Sequence, residues 1–400
     1  MLKYFWSLIF SSIILIGCVN QIGFSLQNQA DNIKHIKLTG NYQEMGFQYG
    51  YQEKNGLLNY YKNQLLPAYE HLLNDPRQAF LIPIVMKSLD NNLPEEFKQF
   101  YYGMAQATGL SIEDIYKIAY FYDFDFTGGC SSFSAIDSSL RKNNYVVHTY
   151  DGSQDFYKIL KHKTVILELH PNNGDESITL VTFYGSLSGF FGINHEKLVL
   201  QLNNGMLSVP LVSNLSILKE NIMSKPQPTN LLTHILLKSK THQMAKDILL
   251  SSSSHVSAST ILLLSDNKLN QDIFYITPTQ SIVQAKFNLI WPETLYLNFI
   301  TNTFLNNPQS QPIENQQFIY SQDQDSPSLS FGRLQHLINF AESKRSTPSY
   351  QDSYNFLTIP YNKGGIIMLD SENHADVTFF KIIFSQADKY FLSLEHLCHT

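Results

Sequence analysis

The chain is poor in cysteine, in charge and in long apolar runs. Its 400 residues include only three cysteines, Cys18, Cys130 and Cys398, which excludes the disulfide-dense scaffolds of small secreted domains. Charged residues make up 16% of the chain, the net charge is −6 and no basic run stands out, so nothing indicates a nucleic-acid partner. The hydrophobic fraction of 43% is ordinary, so we expect a core of useful size in one large domain or two smaller ones.

Motifs that would indicate a metal or a cofactor are also missing. The sequence has no His-Glu-x-x-His, no P-loop and no dinucleotide-binding glycine fingerprint. The segment Gly185–Gly189 carries Leu187 where a nucleophile elbow requires serine. The thirteen histidines show no metal-ligand spacing. We therefore expect no cofactor, and the chemistry has to come from side chains.

One apolar run, from Tyr4 to Gly17, follows Lys3 at the N-terminus. It is too short to span a bilayer comfortably and is typical of a signal peptide. The run ends in Leu15-Ile16-Gly17-Cys18, which resembles the lipobox of bacterial lipoproteins, where the cysteine is lipidated. The alternative is an ordinary secretory signal that happens to contain a cysteine. We predict a signal peptide over residues 1–17, a lipid-anchored tether over 18–37, and export to a membrane of the bacterial cell envelope, on its periplasmic or outer surface.

Two further segments differ in their hydrophobic period. Residues 38–129 have a helical pattern, with Asn41 as a predicted cap and with Gly46 and Gly50 on one face, where they would allow close packing. In residues 130–400, apolar and polar residues alternate in many short runs. This pattern predicts antiparallel strands with helices layered over them. We therefore expect an α+β fold with a helical N-terminal segment, 38–129, and a catalytic domain, 130–400.

The junction between these segments is the most informative stretch. Gly128 and Gly129 end the helical region, and Cys130 opens the first strand. A thiol has a pKa of about 8.5 and needs a base, whereas an α-amine with a pKa of about 7.7–8.0 could activate a thiol on its own residue. This layout is expected of an enzyme that cuts itself before Cys130, and Gly129 has no side chain to block the attack. The alternatives are a buried core cysteine or a disulfide with Cys398.

Five blocks in this order resemble the acyl-coenzyme A:6-aminopenicillanic acid acyltransferase family of N-terminal nucleophile hydrolases, which is related to the choloylglycine hydrolases. The blocks are Gln43–Gly50, Gly129–Phe133, His148–Asp151, Gly185–Asn203, and Thr301–Phe304 followed by Ser330–Leu334. The resemblance implies a four-layer αββα sandwich.

The resemblance also implies roles. Cys130 would be the nucleophile and its α-amine the base, Asp151 would hold that amine or orient the thiol, and Asn203 would stabilise the oxyanion. Asn302 would add a polar contact near the nucleophile, and Arg333 would set the thiol or pair with Asp151.

Each of these residues has a structural alternative. Asp151-Gly152 and Asn203-Asn204-Gly205 are also ordinary turn sequences, Arg333 could be a solvated helix residue, and Asn302 could cap or turn. His148 stands where relatives often carry arginine or glutamine, and Thr149 where asparagine is usual. We expect a changed contact with substrate at these two positions.

The resemblance favours an autoprocessed cysteine hydrolase that cleaves or transfers the acyl group of an N-acyl amide through an acyl-enzyme on Cys130. Its expected partners are a small acylated substrate and a membrane, the latter through the lipid anchor. Two other functions stay open. One is a non-enzymatic envelope lipoprotein, which a Cys130–Cys398 disulfide would support. The other is a lipase or phospholipase-type acyl hydrolase whose many Phe and Tyr side chains line an acyl pocket.

Overall fold

The structure is a computed structural model. It describes residues 25–26, 33–124, 129–137, 145–204, 219–220, 223–225, 227–251, 257, 260–268, 270–276, 283–285, 289–290, 295–300, 333, 336–337, 339–340, 343–344, 348, 350–364, 366–367, 376–385 and 391–396. Cys18, Asn302 and Cys398, together with Gly128 and the predicted signal peptide, lie outside these residues.

Two β-sheets form the centre of the molecule. The strands are β1 Ser25–Leu26, β2 Lys34–Gly40, β3 Gly129–Asp137, β4 Tyr145–Ser153, β5 Thr164–Pro171, β6 Ile178–Phe183, β7 Gly189–Asn194, β8 Val199–Asn204, β9 Thr260–Ser265, β10 Gln271–Ile276, β11 Val283–Ala285, β12 Leu289–Ile290, β13 Leu295–Ile300, β14 Asp376–Ser385 and β15 Phe391–His396. Within the described residues, the first sheet has the order β1-β15-β14-β4-β3-β13-β12 and the second the order β11-β10-β9-β8-β7-β6-β5-β2. Neighbouring strands are antiparallel except in the pairs β1/β15 and β2/β5.

The two sheets stack face to face, and β3 shows which of its sides lies between them. Successive side chains of a strand point to opposite faces. Ser132 hydrogen-bonds to Asn203 of β8, and Ser134 hydrogen-bonds to Gln271 of β10. The even-numbered side chains of β3 therefore face the second sheet, and the odd-numbered ones face outwards.

Helices surround the two sheets. They are α1 Tyr42–Gln52, α2 Lys54–Tyr60, a π-helical stretch Tyr61–Leu65, α3 Leu66–Leu72, α4 Pro76–Asn92, α5 Glu95–Thr108, α6 Ile112–Ala119, a 3₁₀ turn Phe121–Phe124, α7 Gln154–Leu160, α8 Pro228–Lys238, α9 His242–Ser251, α10 Tyr350–Phe356 and a 3₁₀ turn Tyr361–Lys363. Residues 333, 336, 337, 339 and 340 are also helical.

Helix α8 covers the second sheet, because the Asn194 side chain at the end of β7 donates to the carbonyls of Leu236 and Ser239. The first sheet is covered by the helical residues around 333–340 and by α10. There the ring of Phe340 stacks on Phe356 at 4.2 Å between centroids and contacts Phe133 of β3. The layers therefore run helix, sheet, sheet, helix, and the predicted α+β, four-layer αββα architecture is confirmed.

The predicted helix cap and the predicted close packing of a glycine in the N-terminal segment are confirmed as well. Asn41 caps α1 through a reciprocal pair of hydrogen bonds with Glu44, each 2.9 Å long. Helix α5 crosses α1 so closely that a Cβ atom on Gly46 would lie 1.8 Å from the carbonyl oxygen of Phe100. Glycine is therefore required at the crossing, as its predicted packing role implies.

The structure differs from the sequence interpretation at the start of this segment. Strand β2, Lys34–Gly40, joins the edge of the second sheet beside β5, so the last residues assigned to the tether are part of the fold. Ile36 and Leu38 are buried on one side of β2. Among the described residues, no helix has both the length and the apolar character needed to cross a membrane.

Candidate active site

Cys130 is the second residue of β3, in register with Tyr150 of β4. Its side chain is 1% exposed, and no disulfide joins it to another residue that the structure describes. As an even-numbered residue of β3, it faces the second sheet. Thus Cys130 lies at the start of a strand in the central layers.

A buried polar cluster lies on the opposite, outward face of the same strands. Arg333 is fully buried, and its Nη1 donates to Asp151 Oδ2 at 2.5 Å and to Ser131 Oγ at 2.7 Å. The Thr378 hydroxyl of β14 donates to Asp151 Oδ1 at 2.6 Å. Both carboxylate oxygens of Asp151 are therefore fixed, although each can accept one more hydrogen bond.

The strand register places Asp151 beside the backbone of Cys130. Asp151 of β4 lies directly opposite Gly129, and Thr378 of β14 lies opposite Asp151. The peptide bond between Gly129 and Cys130 is thus flanked by the carboxylate. An amine formed at Cys130 by cleavage of that bond would begin next to a fixed acceptor.

Burial and charge act in opposite directions on Asp151. Burial raises the pKa of its carboxyl above the ordinary value, while the Arg333 guanidinium and the Thr378 hydroxyl act to lower that pKa. Both members of the Arg333–Asp151 ion pair are completely buried. Removing one partner from such a pair typically costs about 3–5 kcal/mol, because the other charge is left in the interior. The pair therefore holds Ser131 and Asp151 in one rigid arrangement.

A second cluster of polar side chains lies on the inner face, the face that carries the thiol. Ser132 Oγ is 2.7 Å from Asn203 Oδ1 and 2.8 Å from His148 Nδ1, and all three residues are fully buried. Cys130 and Ser132 lie on the same face of β3, with Cα atoms about 7 Å apart from the rise of two strand residues. The Asn203 carboxamide is therefore anchored on the side of the sheet that carries the thiol.

Burial also determines the charge of the histidine in this group. It lowers the pKa of His148 to about 3, so the imidazole is neutral at ordinary pH. A nitrogen with so little basicity cannot serve as the general base for Ser132 near neutrality. Burial therefore disfavours the Ser132–His148 contact as a nucleophile–base pair.

Aromatic side chains fill the space next to the thiol on the inner face. The ring of Tyr150 lies 4.4 Å from that of Phe190 and 5.4 Å from that of Phe183, measured between centroids. Tyr122, six residues before Gly128 in the chain, contacts Phe190 at 4.9 Å. These rings are buried core in this structure.

The structure thus brings together most of the residues that the sequence singled out. Asp151 and Arg333 form the outer cluster. On the inner face, Asn203 and His148 each contact Ser132. Thr149 Oγ1 accepts a 3.2 Å hydrogen bond from the backbone nitrogen of Ser131. The predicted substrate contacts of His148 and Thr149, both buried, stay predictions.

Sequence reasoning missed three contributors, Ser131, Ser132 and Thr378. The two serines stand in the Gly129–Phe133 block, where their position next to Cys130 was a usable signal. Thr378 had none, because its role depends on β14 pairing with β4 far from it in the chain.

A possible metal-binding group lies away from this strand junction. Within the described residues, Glu176, His195 and Glu196 place ligand atoms within 4.8 Å of one another. They flank β6 and β7 of the second sheet, and the two residues that follow β7 are exposed. Exposed carboxylates commonly cluster without an ion, so we assign no metal here.

No protein-family model and no curated protein sequence matches this chain. Among solved structures, it is similar to an N-acylethanolamine-hydrolyzing acid amidase ortholog from Caenorhabditis elegans, with 15% identity, 67% of this chain and 100% of the other covered, and a TM-score of 0.47. It is also similar to a mutant conjugated bile acid hydrolase from Clostridium perfringens, with 12% identity, 63% and 85% coverage, and a TM-score of 0.34. A second variant of that enzyme gives 11% identity, 65% and 78% coverage, and a TM-score of 0.28. At this level of similarity, the activity has to be argued from the site itself.

Proposed function

We propose that this chain is a cysteine hydrolase that cuts itself between Gly129 and Cys130 and then hydrolyses N-acyl amides. The observation that supports this most is the position of Cys130 between two fixed polar groups. The Arg333–Asp151 pair lies beside its backbone nitrogen, and the Asn203 carboxamide lies on the face of its thiol.

The cleavage needs only groups of the chain and one water molecule. The Cys130 sulfur attacks the Gly129 carbonyl carbon, the peptide C–N bond breaks, and the nitrogen takes the proton to become an amine. Water then hydrolyses the resulting thioester, which leaves a carboxylate on Gly129 and a thiol on Cys130. Cys130 is only 1% exposed, but its burial does not prevent this attack, because the sulfur and the Gly129 carbonyl belong to neighbouring residues of one chain.

The new amine then acts as the base for substrate. It accepts the thiol proton while sulfur attacks the acyl carbonyl, and Asp151 holds it by hydrogen bonding. Asn203 donates to the developing oxyanion. The proton passes to the leaving amine, a thioester acyl-enzyme forms, and water releases the carboxylic acid and restores the thiol.

The predicted location of the protein bears on whether the acyl group is hydrolysed or transferred. The predicted signal peptide and lipidation of Cys18 support a location on a membrane of the bacterial envelope, which is part of this proposal. Acyl-coenzyme A is scarce outside the cytoplasm, so we propose hydrolysis rather than coenzyme A-dependent transfer. Asn302, as a further polar contact, belongs to the same proposal.

The test compares purified wild-type protein with two variants on fluorogenic N-acyl amides and on phospholipid vesicles. Asp151→Asn should abolish amide hydrolysis, because the neutral side chain no longer matches Arg333 or the amine. Asp155→Asn is the matched control, since Asp155 lies four residues further on at an exposed position. Hydrolysis of phospholipid alone would favour the lipase alternative, and no hydrolysis of either would favour the non-enzymatic lipoprotein.

A further inference from the structure

We propose that His148 is a positioning residue that acts through Ser132 and fixes which end of the Asn203 carboxamide faces the reacting carbonyl. The inference rests on the proposed function, because it assigns Asn203 the oxyanion role. The inference goes further by explaining what fixes the orientation of the Asn203 side chain. The groups that carry it are the three buried residues on the inner face, whose hydrogen bonds form one chain.

Counting protons along this chain sets its direction. A serine hydroxyl has one proton and two acceptor positions. Ser132 Oγ lies 2.7 Å from Asn203 Oδ1, an atom that can only accept, so the serine proton is given to Asn203. The 2.8 Å contact with His148 Nδ1 then requires a proton on that nitrogen. The neutral imidazole is therefore the Nδ1–H tautomer.

The opposite tautomer would reverse the chain. With Nδ1 as an acceptor, Ser132 would donate to His148, and Asn203 would turn its Nδ2 towards the serine. The donor needed for an oxyanion would then point away from the substrate, and Oδ1 would face it instead. The state of one buried ring thus decides whether Asn203 presents a donor or an acceptor.

The surroundings of the ring support a fixed neutral state. His148 is fully buried in β4, between β3 and β14, opposite Ser132 and Ile382. Its Nε2 atom is buried and has no hydrogen-bond partner among the described residues. An acceptor nitrogen tolerates that position better than an N–H or a charged ring would, because burial penalises an unsatisfied donor and a charge more strongly.

Three variants test the inference through catalysis. In His148→Asn the side-chain amide can place a donor close to the position of Nδ1, whereas His148→Leu offers none. Ser132→Ala removes the link altogether. We expect kcat to fall about tenfold or more in Ser132→Ala and His148→Leu, with little change in KM, because removal of an oxyanion donor costs roughly 10²–10³ in kcat. His148→Asn should lose clearly less than His148→Leu, and equal losses would overturn the inference.

Nitrogen-15 NMR gives a readout that does not depend on activity. In wild-type protein, we expect His148 to show a protonated Nδ1 and an unprotonated Nε2, and the Asn203 side-chain amide resonance to shift in Ser132→Ala but much less in His148→Asn. An Nε2–H tautomer, or an Asn203 resonance unaffected by Ser132→Ala, would overturn the inference. If the wild-type protein hydrolyses no amide, the proposed function fails, while the NMR result still decides the hydrogen-bond chain.

Discussion

Replacing Arg333 by methionine removes the only cation that contacts Asp151 among the described residues and leaves a carboxyl group in the protein interior. Both residues are completely buried, so water cannot screen the change. Breaking such a pair costs about 3–5 kcal/mol, and loss of the charged hydrogen bond to Ser131 is part of that cost. We therefore expect Arg333→Met to lower the free energy of unfolding by about 3–5 kcal/mol at pH 7.

The size of the loss should depend on pH, because Asp151 can take up a proton. Burial already raises the pKa of Asp151 in the wild-type protein, against the effect of Arg333. Without Arg333 the pKa rises further. A carboxyl whose folded pKa lies above its unfolded value loses stability as pH rises through that range. Between the wild-type and variant pKa values, each pH unit therefore adds about 1.4 kcal/mol to the difference.

Urea denaturation of wild-type protein and Arg333→Met at pH 5, 6, 7 and 8 measures this difference. The double variant Asp151→Asn/Arg333→Met is the control. It leaves no buried charge at the pair, and it should recover part of the loss and remove the pH dependence. A loss below about 1 kcal/mol at pH 7, or a loss that does not vary with pH, would refute the account of a buried ion pair.

Three other changes have defined outcomes. Cys130→Ala should abolish both self-cleavage and amide hydrolysis, as judged by gel electrophoresis and assay; any cleavage before residue 130 in this variant would mean another nucleophile. Gly46→Ala should destabilise the fold by about 3 kcal/mol because its Cβ would meet the backbone of Phe100, whereas Gln52→Ala on the same helix should change the unfolding midpoint little. Burial raises the pKa of Asp123 to about 8, so the wild-type protein loses stability as the pH rises towards 8. The melting temperature of Asp123→Asn minus that of the wild type should therefore be larger at pH 9 than at pH 5. An equal difference at the two pH values would contradict a buried carboxyl group.

Signals carried by neighbouring residues could be read from the sequence. The cap at Asn41, the end of α5 at Gly109 and the alternation that opens at Cys130 each depend on a few adjacent residues. Strand β2 carried the same kind of signal, since buried Ile36 and Leu38 alternate with polar neighbours. It was missed because a parallel partner, β5, lies far along the chain.

The contacts of the site depend on how the sheets stack, which no local pattern specifies. Arg333 reaches Asp151 only because its helix covers the first sheet, and this pairing came from resemblance rather than from spacing. The link from His148 through Ser132 to Asn203 needs β3 and β8 to face each other in one particular alignment. Thr378 reaches Asp151 from β14, next to an irregularity in the β4–β14 register.

The most direct test of self-cleavage is the intact mass of the purified protein, with the sequence of each N-terminus. We expect a fragment of 271 residues, 130–400, that begins with Cys130. If Cys18 is the first residue of the mature protein, its companion has 112 residues, 18–129, plus any lipid. A single chain that is continuous across Gly129–Cys130, with no acyl group captured on Cys130 after incubation with substrate, would contradict the account.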